Sequence, residues 1–93
     1  MWVRIQEVSF AASRSDEVVE RFRETAVARH GGDGYLGFRL LLDREDGRAL
    51  EVSYWETEAA LRAVDAAGVV GAADPSLAIT KRTNYYELAI DAA

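Results

Sequence analysis

Gly34–Leu61, GYLGFRLLLDREDGRALEVSYWETEAAL, is the stretch that decides how this chain folds. It runs strand, tight turn, strand, then a helix that starts directly after a tryptophan, Trp55. Tyr35–Asp43 and Arg48–Trp55 are rich in strand-forming residues and flank Asp46-Gly47, a dipeptide that favours a hairpin because glycine adopts positive φ without strain. Thr57 is the expected N-cap of the following helix, with Leu61 and Val64 on its buried side. This segment forms the middle of a βαββαβ order.

Upstream, Trp2–Phe10 (WVRIQEVSF) reads as a strand with Trp2, Arg4, Gln6, Val8 and Phe10 on one face and Val3, Ile5, Glu7 and Ser9 on the other. Ala11 to Ser15 is a short connection, and Ser13 with Asp16 resembles a capping box. The first helix is expected to reach about Arg29, with Val18, Val19, Phe22 and Ala26 as its apolar stripe and a Glu17–Arg21 pair on its outer face. Gly31 and Gly32 end it. Gly31 to Gly34 precedes a strand rather than opening a helix, so it is a turn and not a phosphate loop. Downstream, the second helix weakens at Gly68, residues 69–76 read as a loop because Pro75 stops a helix, and Leu77 to Ile90 carries the last strand.

A chain of 93 residues implies one domain, spanning 1–93. No apolar run approaches the roughly 20 residues of a membrane helix. Arg4 and Glu7 interrupt the N-terminal apolar stretch, so no secretory signal is visible and a cytoplasmic location is expected. The absence of cysteine removes disulfides, thiolate nucleophiles and cysteine metal sites, and one histidine, His30, cannot build a multi-histidine site. Net charge is −5 and the basic residues are scattered, which disfavours nucleic acid as a partner.

The hairpin is greasy on both faces. A turn centred on Asp46-Gly47 sets Leu42 opposite Glu51, Leu40 opposite Ser53 and Phe38 opposite Trp55. Leu36, Phe38, Leu40 and Leu42 then share a face with Glu51, Ser53 and Trp55, while Tyr35, Arg39 and Leu41 share the other with Leu50, Val52 and Tyr54. Two helices following right-handed crossovers cover one face only. The uncovered apolar face predicts a homodimer packed sheet against sheet about a two-fold axis.

The element order, the GYLGF opening of the hairpin and the Tyr54-Trp55-Glu56-Thr57-Glu58-Ala59-Ala60 junction together resemble the antibiotic biosynthesis monooxygenase (ABM) family over nearly the whole chain. The resemblance implies an α+β, ferredoxin-like sandwich of four antiparallel strands with two helices on one face, paired into a dimeric α/β barrel. It also implies a pocket between helices and sheet, with Trp55 matching the family's pocket tryptophan. In the cofactor-free polyketide oxygenases of this family an Asn precedes that Trp by four residues and a Tyr follows it by six; here these positions hold Glu51 and Leu61. In the haem-degrading branch a strand-one Asn joins the Trp, matched here by Gln6. That branch takes a histidine ligand about ten residues past the Trp, where this chain has Val64, Asp65 and Ala66.

Glu51 and Trp55 are the candidate catalytic residues. A carboxylate on an apolar face is costly unless paired or hydrated, and a buried one suits a general base; its structural role would be an ion pair, for instance with Arg4. The indole face of Trp55 suits a flat ring system, or simply closes the core. Gln6, Arg4, Phe38, Leu40, Phe22 and Tyr86 are the candidate substrate-binding residues, one of Tyr85 and Tyr86 facing the pocket and the other the dimer interface. Two functions follow from the resemblance: an oxygenase that uses no metal or other cofactor, acting on an aromatic or polyketide-like small molecule, or a non-catalytic haem- or polyketide-binding protein of the same fold.

Overall fold

The computed structural model describes residues 1–29, 33–66 and 76–93. The expectations for His30, Gly31, Gly32, Gly68 and Pro75 lie outside these residues. The elements are β1 (Trp2–Phe10), a 3-10 turn (Ala12–Arg14), α1 (Ser15–Arg29), β2 (Tyr35–Asp43), β3 (Arg48–Trp55), α2 (Glu58–Ala66) and β4 (Ala78–Glu87). The strands form one antiparallel sheet in the order β2-β3-β1-β4, so the two central strands are β1 and β3. Helix α1 packs toward β2, and α2 toward β1 and β3. This is the ferredoxin-like arrangement. Among the described residues no helix is long and apolar enough to cross a membrane.

The hairpin differs in register from the sequence expectation. Phe38 pairs with Ser53, Leu40 with Glu51 and Leu42 with Ala49, and the last pair is Asp43 with Arg48. The connection is therefore four residues, Arg44 to Gly47, rather than two. Asp43 explains this: its carboxylate accepts the Asp46 backbone N–H at 3.1 Å, a side-chain-closed turn that starts two residues earlier than a bare Asp-Gly turn would. Gly47 sits at φ +66°, and its carbonyl accepts the Phe10 N–H at 2.8 Å. A Cβ at Gly47 would run into the Phe10 carbonyl oxygen, so only glycine lets the loop close on the end of β1. A slip of two residues preserves which face each side chain takes. The faces assigned from Phe38 to Leu42 therefore stand.

Tyr35 and Leu36 are the exceptions: Leu36, expected on the helix side, is 51% exposed and borders the groove with Arg39 and Tyr54. A bulge between Tyr35 and Gly37 sets Tyr35 opposite Trp55, and the two rings meet edge to face at 5.4 Å and 62°. Tyr35 thus joins the helix side, contrary to its expected place beside Leu41.

Three local expectations at helix and strand ends are also corrected. The chain tightens into the 3-10 turn before α1; the turn's N-cap is Ala11 and Ser13 caps nothing there. Ser15 is buried instead and donates its hydroxyl back to the Ala12 carbonyl at 2.6 Å. Glu17 pairs with Arg14 at 2.8 Å rather than with Arg21, because the extra turn brings Arg14 three residues ahead of it. The last strand ends at Glu87 instead of reaching Ile90. Thr57 does cap α2, accepting the Ala60 N–H at 3.1 Å.

The core lies beneath α1. Val18 and Phe22 meet Val8 of β1, Ala49 of β3, and Leu77 and Ala78, with Phe10, Phe38, Leu40 and Leu42 packed around them. Each such large side chain taken from water is worth about 1.5–3 kcal/mol, which makes this half of the inner face the main apolar store of the domain.

Candidate functional site

The other half of the inner face is polar. Arg4 and Gln6 of β1 stand directly across from Ser53 and Glu51 of β3. Period-two alternation turns all four toward the helices, and every one is buried: Arg4 and Gln6 are 4% exposed, Glu51 and Ser53 0%. A block of four polar side chains on the two central strands is the least common use of such positions, since each must find internal partners to offset lost water.

The bonds seen run in two short chains, Arg4–Gln6–Thr80 and Trp55–Ser53. Arg4 Nη1 donates to Gln6 Oε1 at 3.4 Å, and Gln6 Nε2 donates to Thr80 Oγ1 at 2.9 Å. None of Arg4, Gln6 and Glu51 is without a partner. Thr80 reaches this network through a bulge in β4. Glu7 pairs with Arg82 but Val8 with Thr80, so Lys81 is the extra residue, and Thr80 and Thr83 both come to the inner face. Both ends of the Gln6 amide are used, which makes Gln6 a holder of Arg4.

Trp55 ends the block. It is 1% exposed, and its indole Nε1–H donates to Ser53 Oγ at 3.0 Å. Tyr35 lies against it, and Leu61 of α2 is fully buried in the same half of the molecule. Gly34 brings the start of β2 against α2: its φ is +73°, its carbonyl accepts the Glu56 N–H at 2.7 Å, and a Cβ there would lie 2.6 Å from Ala60 Cβ. The indole is therefore gripped by a hydrogen bond on one side and by the β2–α2 junction on the other.

Of the sequence candidates, Arg4, Gln6, Glu51 and Trp55 come together here, with Phe38 and Leu40 opposite Ser53 and Glu51. Phe22 belongs to the apolar core under α1. Tyr86 is misplaced as a substrate contact: it pairs with Val3 on the open face and is 51% exposed. Tyr85 takes the inner position opposite Arg4, where the Arg62 guanidinium of α2 lies 4.1 Å above its ring. Ser53 and Thr80 were missed. The Ser-x-Trp spacing on one strand was a readable sign for the first; the β4 bulge left no sequence sign for the second.

The described grooves lie elsewhere. One of about 420 Å³ opens at the hairpin end between Glu7, Leu41 and Leu50. Another of about 460 Å³ lies by Leu36, Arg39 and Tyr54, where Arg39 donates to the Tyr54 hydroxyl at 3.2 Å. Among the described residues no three His, Cys, Asp or Glu side chains are grouped to hold a metal ion.

Residues 1–73 match the family model described as antibiotic biosynthesis monooxygenase. The chain belongs to the antibiotic biosynthesis monooxygenase family. Among solved structures, this ABM chain is similar to the haem degrader MhuD of Mycobacterium tuberculosis, solved with two haems in its active site, at 27% identity over 100% of both chains and a TM-score of 0.79. It shares its fold with SnoaB of Streptomyces nogalater, a cofactor-independent oxygenase solved as its N63A mutant, at 16% identity over 97% of this chain and 94% of that one, TM-score 0.72. A search of curated proteins finds no match. For an ABM domain the haem question is concrete. On the described inner face no side chain supplies an imidazole or thiolate, and the network holds a guanidinium, an amide and a carboxylate instead. Among the described inner-face residues the phenols Tyr35 and Tyr85 are the ligand type left for a haem iron, in place of an imidazole or thiolate.

Proposed function

We propose that this domain is a cofactor-independent monooxygenase that oxidises an aromatic, polyketide-like small molecule held between α2 and the inner face of the sheet. The observation that carries the reading is the buried Arg4–Gln6–Glu51–Ser53 block beside Trp55. Apolar residues there would fold at least as well, so the block is best accounted for by chemistry.

The roles follow from the donor and acceptor inventory. The Glu51 carboxylate takes a proton from an activated CH₂ flanked by a carbonyl or phenol. Arg4 donates to the enolate oxygen that develops, held in place by Gln6 and Thr80. The carbanion passes one electron to O₂, and the radical pair joins through a new C–O bond to give a hydroperoxide, protonated by Glu51. Loss of the remaining C–H proton breaks the O–O bond, leaving a carbonyl and water. The balance is CH₂ + O₂ → C=O + H₂O, with carbon oxidised by four electrons and dioxygen reduced by four. Since Glu51, Ser53 and Trp55 have almost no exposed surface, substrate reaches them only by displacing their cover. Closure afterwards keeps water from the carbanion.

The protomer acts as a homodimer through the open face. Leu41, Leu50, Ile79 and Tyr86 are 53, 37, 57 and 51% exposed there. Glu7 and Arg82 lie opposite each other in register among them, so the face carries both signs of charge and suits a second copy of itself.

Oxygen uptake with anthrone-like compounds, which carry the activated CH₂, tests the reaction. The parent protein is expected to consume one O₂ per quinone formed, and Glu51→Gln to lose about 10²–10⁴ in kcat while the fold is retained. No uptake by folded protein across such a panel would overturn the reading; undiminished turnover by Glu51→Gln would remove Glu51 as the base.

The 27% identity to MhuD over the whole chain supports a second reading, a non-catalytic haem- or polyketide-binding protein. Saturable binding, with a Soret shift for haem and no oxygen uptake, would favour it.

A further inference from the structure

Arg62 is the one cation that α2 presents over the polar half of the sheet among the described residues, and its setting is unusual for a surface arginine. Its guanidinium lies 4.1 Å above the Tyr85 ring, and Tyr85 stands in register with Arg4 and Ser53 across the sheet. A cation over a ring is attracted to its face without consuming N–H donors, so the guanidinium keeps donors for a second partner. Glu58 is the partner on the same helix, but at 3.6 Å it is beyond hydrogen-bond reach. The side chain is 53% exposed, so its donors meet solvent at the rim of the block while the Tyr85 ring holds the cation there.

We propose that Arg62 selects an anionic substituent, a ring carboxylate or an ionised phenol, on the molecule that the block receives. This rests on the monooxygenase reading and narrows its substrate to acidic aromatics. The ring end of such a molecule reaches Glu51 and Arg4; its charged end stays at the edge of the sheet, where Arg62 meets it with a planar pair of donors. Tyr85 is the positioning residue: without its ring the guanidinium loses the contact that holds it over the block.

Anaerobic titration separates binding from turnover. Anthrone and an anthrone carboxylate are titrated into the full-length protein, followed by tryptophan fluorescence, and oxygen uptake is then measured with both. The parent is expected to bind the carboxylate about tenfold more tightly than the neutral compound, the low end for a charge-assisted hydrogen bond at a half-exposed position. Arg62→Gln removes that preference in both Kd and kcat/KM. Arg62→Lys restores part of it, since charge returns without the forked donors of a guanidinium, and Tyr85→Leu weakens it. Arg23→Gln, on the exposed face of α1, leaves it intact. Equal affinity for the two compounds in the parent, a preference that survives Arg62→Gln, or no binding of either compound overturns the proposal. Selective binding without oxygen uptake upholds Arg62 and sinks the monooxygenase reading, so the two failures are told apart.

Discussion

Ser53→Ala tests whether the indole of Trp55 is held or merely packed. The Ser53 hydroxyl is fully buried and accepts the Trp55 Nε1–H at 3.0 Å. Trp55 is itself 1% exposed, so water cannot replace the lost acceptor. Stranding a buried donor costs about 1–3 kcal/mol, and a middle value near 2 kcal/mol is expected. For a domain of this size that corresponds to a fall in Tm of about 10 °C. Urea unfolding followed by far-ultraviolet circular dichroism gives the free energy without relying on the perturbed fluorophore. Protomer concentration is held fixed, because association would shift the midpoint. The control is a double-mutant cycle with Trp55→Phe, which removes the donor. In that background Ser53→Ala should cost less by at least about 1 kcal/mol, and Ser53→Thr should retain most of the stability because it keeps a hydroxyl on a strand. Equal cost of Ser53→Ala with and without the indole would refute the reasoning: the serine would then matter for space alone.

Leu50→Asp places a charge at the middle of the open sheet face, and sedimentation should show a dimeric parent and a monomeric, still folded variant at micromolar protomer; a parent that sediments as a monomer sinks the pairing. Gly47→Ala should cost about 2 kcal/mol or more, since it combines positive φ with a clash against backbone that cannot swing away; unchanged urea midpoints would show that the loop relaxes freely. Asp43 carries an acid-range prediction. Its carboxyl is held below its ordinary value of 3.8 first by the Asp46 backbone N–H and then by Arg48. A depressed folded pKa gives stability that is present above the unfolded value and lost as pH falls through the folded one. Asp43→Asn should therefore lower stability at neutral pH, and the gap to the parent should narrow as pH falls below the ordinary carboxyl value of 3.8. A gap that persists or widens in acid would show that the carboxylate charge is not what stabilises the turn.

Much of the fold was legible because its signals are local and periodic. The alternation in Trp2–Phe10 and Arg48–Trp55 requires no tertiary information, and a register error of two residues leaves it intact. That is why Arg4, Gln6, Glu51 and Trp55 were assigned to one face even though the hairpin turn was misplaced. What failed depended on single side chains acting on backbone. Asp43 captured the Asp46 N–H and lengthened the loop; Ser15, not Ser13, found a carbonyl at the start of α1. Bulges were the other blind spot. One extra residue at Lys81 brought Thr80 inward, and one near Gly37 moved Tyr35 beside Trp55. Strand periodicity assumes no such insertions. Tyr85 and Tyr86 could not be told apart from sequence because strand phase in β4 follows from that bulge.

The inner face changes in chemical character along the length of the strands. Beneath α1 the pairs are Val8 with Ala49 and Ala49 with Leu42, and the side chains are apolar. One pair further along, the same strands carry Gln6 with Glu51, then Arg4 with Ser53. Both halves are equally central in the sheet, so strand geometry does not require the change. A uniform apolar face would have added burial at about 25 cal/mol per Å² and spared every polar group its desolvation. The apolar half lets the domain fold with that burden, and confining the polar groups to adjacent positions lets them satisfy one another. It follows that stability and chemistry can be separated by mutation in this protein. On the proposed reading, changes at Val18, Phe22 or Val8 act on folding, and changes at Glu51 or Arg4 act on what a bound molecule experiences. If the polar block were only a structural network, the two groups of variants would sort along one axis, with activity or ligand affinity tracking stability throughout.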